Sequence, residues 1–323
     1  MKSEILSILK AADGFVSGEK ISETLHVSRA AVWKGITKLR SEGYRITSVT
    51  NRGYLLEQTP DVVTEAELAD GLETVCIGKT IHFEEETDST NNLAKRHADM
   101  PDGTLFIAER QTAGKGRRGN GWASPKGTGI WMSLLLKPDL PPERVCEITL
   151  VAGLAVCNGL NRFLDGAPAM IKWPNDIVVG GRKICGILTE LSAQIEAVEY
   201  VVTGIGINVN MEHFDDALSE KATSLYIETG SAHPRAAIVQ AVLLEFETLY
   251  EKFLQGGFEA IRTDYKAACV TLHKEVKIIK KGETLLAEAT DIAPDGALVI
   301  QRDGQLETVQ SGEVSVRGIY GYV

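Results

Sequence analysis

The chain has 323 residues, room for two or three domains, and a formal net charge of −10. Apolar residues make up 44% and charged residues 24%, as in ordinary globular proteins, and no apolar run approaches the ~20 residues of a membrane helix. Met1-Lys2-Ser3-Glu4 opens no signal peptide, and five cysteines with no C-x-x-C pair read as reduced thiols, so a cytoplasmic protein without membrane contact is expected.

The charge is unevenly distributed. Residues 1–60 carry nine Lys/Arg against six Asp/Glu, a balance of +3, which leaves −13 for the remainder. Ile5, Leu6, Ile8 and Leu9 form the apolar face of a first short helix, and Ser17 caps a second that carries Ile21 and Leu25. His26-Val27 turns the chain, and Ser28 caps a third helix that buries Val32, Ile36 and Leu39 and ends at Glu42-Gly43. Two helices across so short a turn have helix-turn-helix spacing. Ser28, Arg29 and Ala30 open the recognition helix, and Trp33, Lys34, Lys38 and Arg40 lie where base or phosphate is reached. Residues 44–49 and 53–56 form a hairpin whose tip carries Arg52, as a wing requires. A small helical module serving as a partner surface is the alternative from spacing alone.

After a linker at Pro60-Asp61, Thr64 caps another helix start, and Ile81-His82-Phe83 is a short strand. Thr87-Asp88-Ser89-Thr90-Asn91 then caps a helix at 92–97, and its side chains also suit a neutral polar ring. Residues 105–109 form a strand that delivers Gln111 and the segment Ala108–Trp122, with four glycines and three cations (Lys115, Arg117, Arg118) within 114–121. Ordering such a segment costs backbone entropy and brings like charges together, so it is expected to fold around an anion. The formal G-x-G-x-x-G match at 114–119 is followed by Asn120-Gly121-Trp122, which opens no helix, so a phosphate-covering loop is read in place of a dinucleotide turn. A solvated basic loop is its ordinary alternative.

Residues 129–136 form a buried strand, and residues 148–163 an apolar helix packed on its sheet. Trp122 and Trp131 read as loop or core anchors. Lys172-Trp173-Pro174-Asn175-Asp176 is either a turn with an exposed ion pair or a set of oxygen donors for a hard cation carried by a triphosphate. Lys183 enters an apolar strand, 184–188, and Gly204 and Gly206 lie inside another, marking a close approach or a bulge. Helices are expected over about 233–254 and over 258–268. Short strands at 276–279, 284–292, 298–301, 307–309 and 314–317 are punctuated by Gly282, Asp295-Gly296, Asp303-Gly304 and Ser311-Gly312.

These motifs, in their order and spacing, resemble those of the biotin–protein ligases. With the N-terminal segment, the chain resembles the bifunctional bacterial form, both ligase and biotin-operon repressor. The resemblance spans nearly the whole chain. It implies an α+β fold: a winged helix-turn-helix at 1–62, a central mixed sheet with helices of the class II synthetase kind at 63–268, and an SH3-like barrel at 269–323. The biotin set it implies is Ser89, Thr90, Asn91 and Gln111, with Lys115, Gly116 and Arg117 from the loop and Lys183, Gly186, Gly204 and Gly206 from the strands. On the ATP side stand Arg117, Arg118, Trp122, Lys172, Asn175, Asp176, Lys183 and Asn208, with Asp176 as the Mg²⁺ ligand. Lys183, Arg117 and Lys115 are the catalytic cations, and Ser28, Arg29, Ala30, Trp33, Lys34, Lys38 and Arg52 the DNA-contacting set.

The implied reaction is two-step acyl transfer through biotinyl-5′-AMP to a lysine of a biotin carboxyl carrier protein. The adenylate also serves as corepressor of a homodimer on operator DNA. No general base for the acceptor lysine is evident. Lys115 stands where the family usually has arginine, which removes the planar fork that grips carboxylate or phosphate. A lipoate-type ligase built on the same body, and a ligand-sensing repressor without catalysis, are the rival readings.

Overall fold

The structure is a computed structural model that describes residues 1–194, 197–280, 283–311 and 315–318. It divides into two compact units, Met1–Glu73 and Thr74–Val323.

In the first unit, α1 (Lys2–Lys10), α2 (Gly18–Thr24) and α3 (Arg29–Ser41) precede the antiparallel hairpin β1 (Arg45–Val49) and β2 (Gly53–Gln58), then α4 (Glu65–Ala69). Ser17 and Ser28 cap α2 and α3 as their positions require, accepting from the Lys20 and Ala31 amides at 3.0 and 3.2 Å. Ile5, Leu6, Leu9, Ile21, Val32, Ile36 and Leu39 meet in one buried core. Gly53, at φ +101°, lets the wing cross Val16, whose carbonyl oxygen a Cβ there would approach to 2.1 Å. Ala66 packs into this core, and Glu67 accepts from Lys10 Nζ (2.7 Å) and Tyr44 OH (2.6 Å). The unit therefore takes in α4, which the sequence reading assigned to the following domain.

The second unit continues with β3 (Ile81–Thr87), α5 (Thr90–Arg96), β4 (Thr104–Gln111), β5 (Gly129–Leu136), α6 (Val145–Asn161), β6 (Met170–Lys172), β7 (Asp176–Val179), β8 (Arg182–Gln194) and β9 (Ala197–Asn208). The short helices α7 (Asp216–Ser219) and α8 (Leu225–Thr229) and the longer α9 (Arg235–Gly256) and α10 (Glu259–Ala268) follow. The strands form one seven-stranded mixed sheet in the order β3-β4-β5-β9-β8-β7-β6, with only β3 and β4 parallel. Apolar α6 lies between this sheet and α9, which explains why its burial is nearly continuous along its length. Helix α6 begins three residues before the expected 148. At the base of α9, fully buried Arg235 grips Glu109 of β4 with two bonds, at 2.9 and 3.2 Å.

The last strands, β10 (Lys274–Lys280), β11 (Glu283–Ile292), β12 (Leu298–Arg302), β13 (Gln305–Val309) and β14 (Ser315–Gly318), form a five-stranded antiparallel sheet ordered β13-β12-β11-β10-β14. The expected turns at Gly282 and Gly312 and the strand start at Val314 lie outside the described residues.

Candidate active site

Three strands make the floor of the site. Ser133 of β5 pairs with Gly204 of β9, which pairs with Leu188 of β8; one step along, Trp131, Gly206 and Gly186 form the next row. The glycines leave room above the sheet. A Cβ at Gly204 would stand 2.1 Å from Asn91 Oδ1, one at Gly206 2.6 Å from Trp122 Nε1, and one at Gly186 2.9 Å from the Trp122 ring. The ladder is in unbroken register at all three positions, so close approach, and not a bulge, accounts for them.

Over this floor hangs the start of α5. Ser89 occupies the N-cap position but makes no side-chain capping bond, and the helix begins at Thr90, two residues before the expected start. Capping therefore does not explain the Ser-Thr-Asn run. Ser89, Thr90 and Asn91 are all buried. Thr90 donates from its amide (2.8 Å) and hydroxyl (3.1 Å) to Gln111 Oε1, and Gln111 Nε2 donates to Ser124 Oγ (2.7 Å). Ser133 Oγ lies 2.7 Å from Asn91 Oδ1 and 2.8 Å from Thr90 Oγ1, with one proton between the two, while Asn91 Nδ2 donates to Glu190 Oε2 at 2.8 Å. The result is a polar pocket end in a largely apolar sheet.

The glycine-rich segment closes over the same floor as a small hairpin. The amides of Thr112 and Ala113 donate to Thr87 and Asp88, Gly116 N to Asn120 O, and Trp122 N to Gly114 O. Its cations reach different partners, although Arg118 still repels Arg117. Lys115 Nζ donates to Asn92 Oδ1 (2.5 Å), Arg117 reaches Asn175 Oδ1 (2.7 Å) and Ser311 O (2.6 Å), and Arg118, at φ +57°, is exposed. Burial lowers the Arg117 pKa, with nearby Asp176 opposing the shift.

Lys183 Nζ lies 2.6 Å from Asp176 Oδ1 and 5.1 Å from the centre of the Trp122 ring system. Asn175 Nδ2 donates to Ile187 O (3.1 Å), which aims the residue at Arg117. Lys172, expected on the ATP side, is 6% exposed at the end of β6 and does not line the cavity that holds the expected biotin residues. Arg118 is likewise outside it. The expected biotin residues all line this one cavity of about 50 Å³, together with Trp122 and Asn175. Beyond Trp122 and Lys183 opens a second cavity of about 670 Å³, which holds Asn208, its amide donating to Thr223 O at 3.0 Å. The buried Trp122 indole nitrogen at this junction has no hydrogen-bond partner.

Three contributors escaped the sequence reading. Ser133 had a visible signal, as the lone polar residue in an otherwise apolar strand. Glu190 and Ser311 had none, because only folding brings them to Asn91 and Arg117. Among the described residues, no group of three or more His, Cys, Asp or Glu side chains is placed to hold a metal. Asp176 supplies a single carboxylate, already engaged by Lys183.

In the first unit, the exposed face of α3 presents Arg29, Ala30, Trp33 (58% exposed), Lys34 and Lys38. The Ser28 hydroxyl is taken by its cap, and Arg29 faces Glu19 at 2.5 Å. Arg52 stacks over the Phe15 ring, 4.2 Å from its centroid, which steadies the wing tip. Arg40 donates to Ile46 O (2.8 and 2.6 Å) and Ser48 Oγ (3.0 Å), tying α3 to β1.

Fold and site together define a protein ligase of the biotin/lipoate type: residues 83–208 match the biotin/lipoate A/B protein ligase family, residues 271–317 the biotin protein ligase C-terminal domain, and residues 2–55 an HTH domain. The bifunctional ligase/repressor BirA of Bacillus subtilis is 37% identical over 95% of both chains, and that of Escherichia coli 30% identical over 97% of this chain and 96% of its own. The biotin protein ligase of Aquifex aeolicus, solved with biotin and ATP, superposes with a TM-score of 0.67 at 30% identity, covering 74% of this chain and 99% of that one. The chain belongs to the bifunctional ligase/repressor BirA family.

Proposed function

We propose that the protein activates biotin with MgATP and transfers it to a lysine of a biotin carboxyl carrier protein. In the first step a biotin carboxylate oxygen attacks the α-phosphorus, an O–P bond forms, the bond to the β-phosphate oxygen breaks, and pyrophosphate leaves. In the second, the carrier amine attacks the acyl carbon, a C–N bond replaces the C–O bond, and AMP leaves with one amine proton lost. The supporting observation is the junction of the two cavities at Lys183, where cations stand beside a polar pocket end. The first step brings an anion onto a polyanion, so Lys183, Arg117 and Lys115 serve by neutralisation and positioning. Asp176 would be the residue to hold the metal that accompanies ATP, which would offset charge on the triphosphate.

The pocket end also favours biotin over lipoate. Ser89, Thr90, Asn91 and Gln111 make a polar pocket end to which a ureido ring brings donors and acceptors and a dithiolane brings none, a difference of about 0.5–1.5 kcal/mol per hydrogen bond. Closure of residues 112–121 keeps water from the mixed anhydride. Incubation of a carrier domain with the protein, biotin and MgATP should add one biotinyl group by mass spectrometry. Lys183→Ala should lower the rate by about 10³–10⁵. Full transfer by that variant, or exchange with lipoate in preference to biotin, would overturn the reading.

The α3 face and wing support operator binding by an adenylate-loaded homodimer that presents two heads to two half-sites. A ligand that orders the loops of a dimer surface and dimerisation itself reinforce each other reciprocally. Gel shift on the biotin-biosynthesis promoter should be adenylate-dependent, and Lys34→Ala should lower the salt slope by about one. Absence of binding with and without adenylate would remove the repressor half while leaving the ligase.

A further inference from the structure

The Asn91 carboxamide spans the bare floor at Gly204, lying between Ser133 of β5 and Leu188 of β8, the two residues that flank Gly204 in the sheet. An amide has two orientations of nearly equal shape, and only its neighbours decide between them. The Ser133 hydroxyl, 2.7 Å from Asn91 Oδ1 and 2.8 Å from Thr90 Oγ1, can donate or accept and so suits either orientation. The β8 side decides: Leu188 O (3.2 Å) and Glu190 Oε2 (2.8 Å) offer only acceptors, which require the nitrogen there.

The two acceptors on β8 are unequal. The Leu188 carbonyl bond is long, whereas the Glu190 bond is shorter and charge-assisted, which roughly doubles its strength. Glu190 is itself held by Lys95 of α5, whose Nζ donates to Oε1 at 2.6 Å. Burial pushes the Glu190 carboxyl up, but the bonds from Lys95 and Asn91 outweigh it and hold the group below the usual carboxylate range. It therefore stays an acceptor at any pH where the protein works.

Resting on the biotin-ligase reading above, we propose that Glu190 and Lys95 are positioning residues for ring recognition: they fix the Asn91 carboxamide with its nitrogen towards β8, and so set which donors and acceptors the pocket end shows to the substrate ring. Neither residue lines the cavity. Their influence passes through Asn91, which does. An ionised carboxylate has no proton to give, so a flipped Asn91 would set its oxygen against both Glu190 and the Leu188 carbonyl. A glutamine at 190 can donate as well as accept, and so removes this bias without changing the shape.

The test uses the full chain and biotin-dependent pyrophosphate–ATP exchange, with thermal unfolding measured on every variant. Glu190→Gln should raise the KM for biotin about tenfold, the loss of one charge-assisted hydrogen bond, while the KM for ATP and the unfolding midpoint stay near wild type. Lys95→Met should raise it about threefold and Lys95→Arg should restore it, since the pair is partly solvated. If Glu190→Gln does not fold, the Lys95 pair carries the test, because Lys95 stands at the outer end of α5. Three results would overturn the proposal: an unchanged KM for biotin in both weakened variants, KM values for biotin and ATP rising together with a lowered midpoint, or Lys95→Arg behaving as Lys95→Met. Failure of the wild-type protein to exchange with biotin at all would instead remove the ligase reading on which the proposal stands.

Discussion

The indole nitrogen of Trp122 stands over Gly206, where a Cβ would come within 2.6 Å of it. The indole is thereby the shared wall of the two cavities, and Lys183 packs against the same ring at 5.1 Å. Gly206→Ala displaces the ring from its seat in the floor, whereas the sheet itself tolerates the methyl group. Biotin-dependent pyrophosphate exchange should fall about ten- to a hundredfold, the penalty for misplacing groups around reacting atoms. Wild-type exchange in this variant would show that the ring does not need that seat.

Arg117 joins Asn175 and the Ser311 carbonyl through two different nitrogens of one guanidinium. A lysine has a single ammonium and cannot span both. Arg117→Lys should therefore leak intermediate: AMP release from biotin and ATP without any carrier should rise about tenfold, as expected when one charged hydrogen bond is lost from the closed lid. The check is adenylate half-life on the enzyme, and an unchanged half-life rejects the lid assignment.

Arg235 and Glu109 are almost wholly buried, at side-chain exposures of 1% and 5%, and clamp α9 to β4. Removing one partner strands the other charge away from water, at a cost of about 3–5 kcal/mol. Glu109→Ala should lower denaturant-measured stability by that amount. An effect below about 1 kcal/mol would mean that water reaches Arg235.

His233 bonds to the Thr229 hydroxyl at 2.7 Å and meets the edge of Phe163, and burial lowers its pKa from the ordinary 6.5. The unfolded chain then takes up a proton that the folded chain refuses. The resulting contribution is fully present above about pH 6.5 and is lost as pH falls through the lower folded value. Thermal midpoints of His233→Gln should fall less steeply than wild type over that range. Parallel curves would place the sensitivity elsewhere.

Much of this was legible from local pattern. Ser17 and Ser28 cap their helices because a capping bond spans only three residues, and the wing follows from a short turn between alternating strands. The limits of β5 were readable for the same reason: eight consecutive residues are buried, so burial and sequence coincide. The bond of Arg40 to the Ile46 carbonyl was not legible, because charge and helical position say nothing about that partner. The burial of Lys172 was not legible either: strand geometry buries it while Asn175 and Lys183 line the cavity.

The sequence by itself determined the head, the ligase body and most of the residues that line the cavity of the site, because caps, periodicity and compact motifs are encoded within a few residues of one another. Only the tertiary structure brought Ser133 and Glu190, 42 and 99 residues away, to Asn91, and Ser311, 194 residues on, to Arg117. Sheet register and chain return create those contacts, and neither is written in the spacing of any one motif.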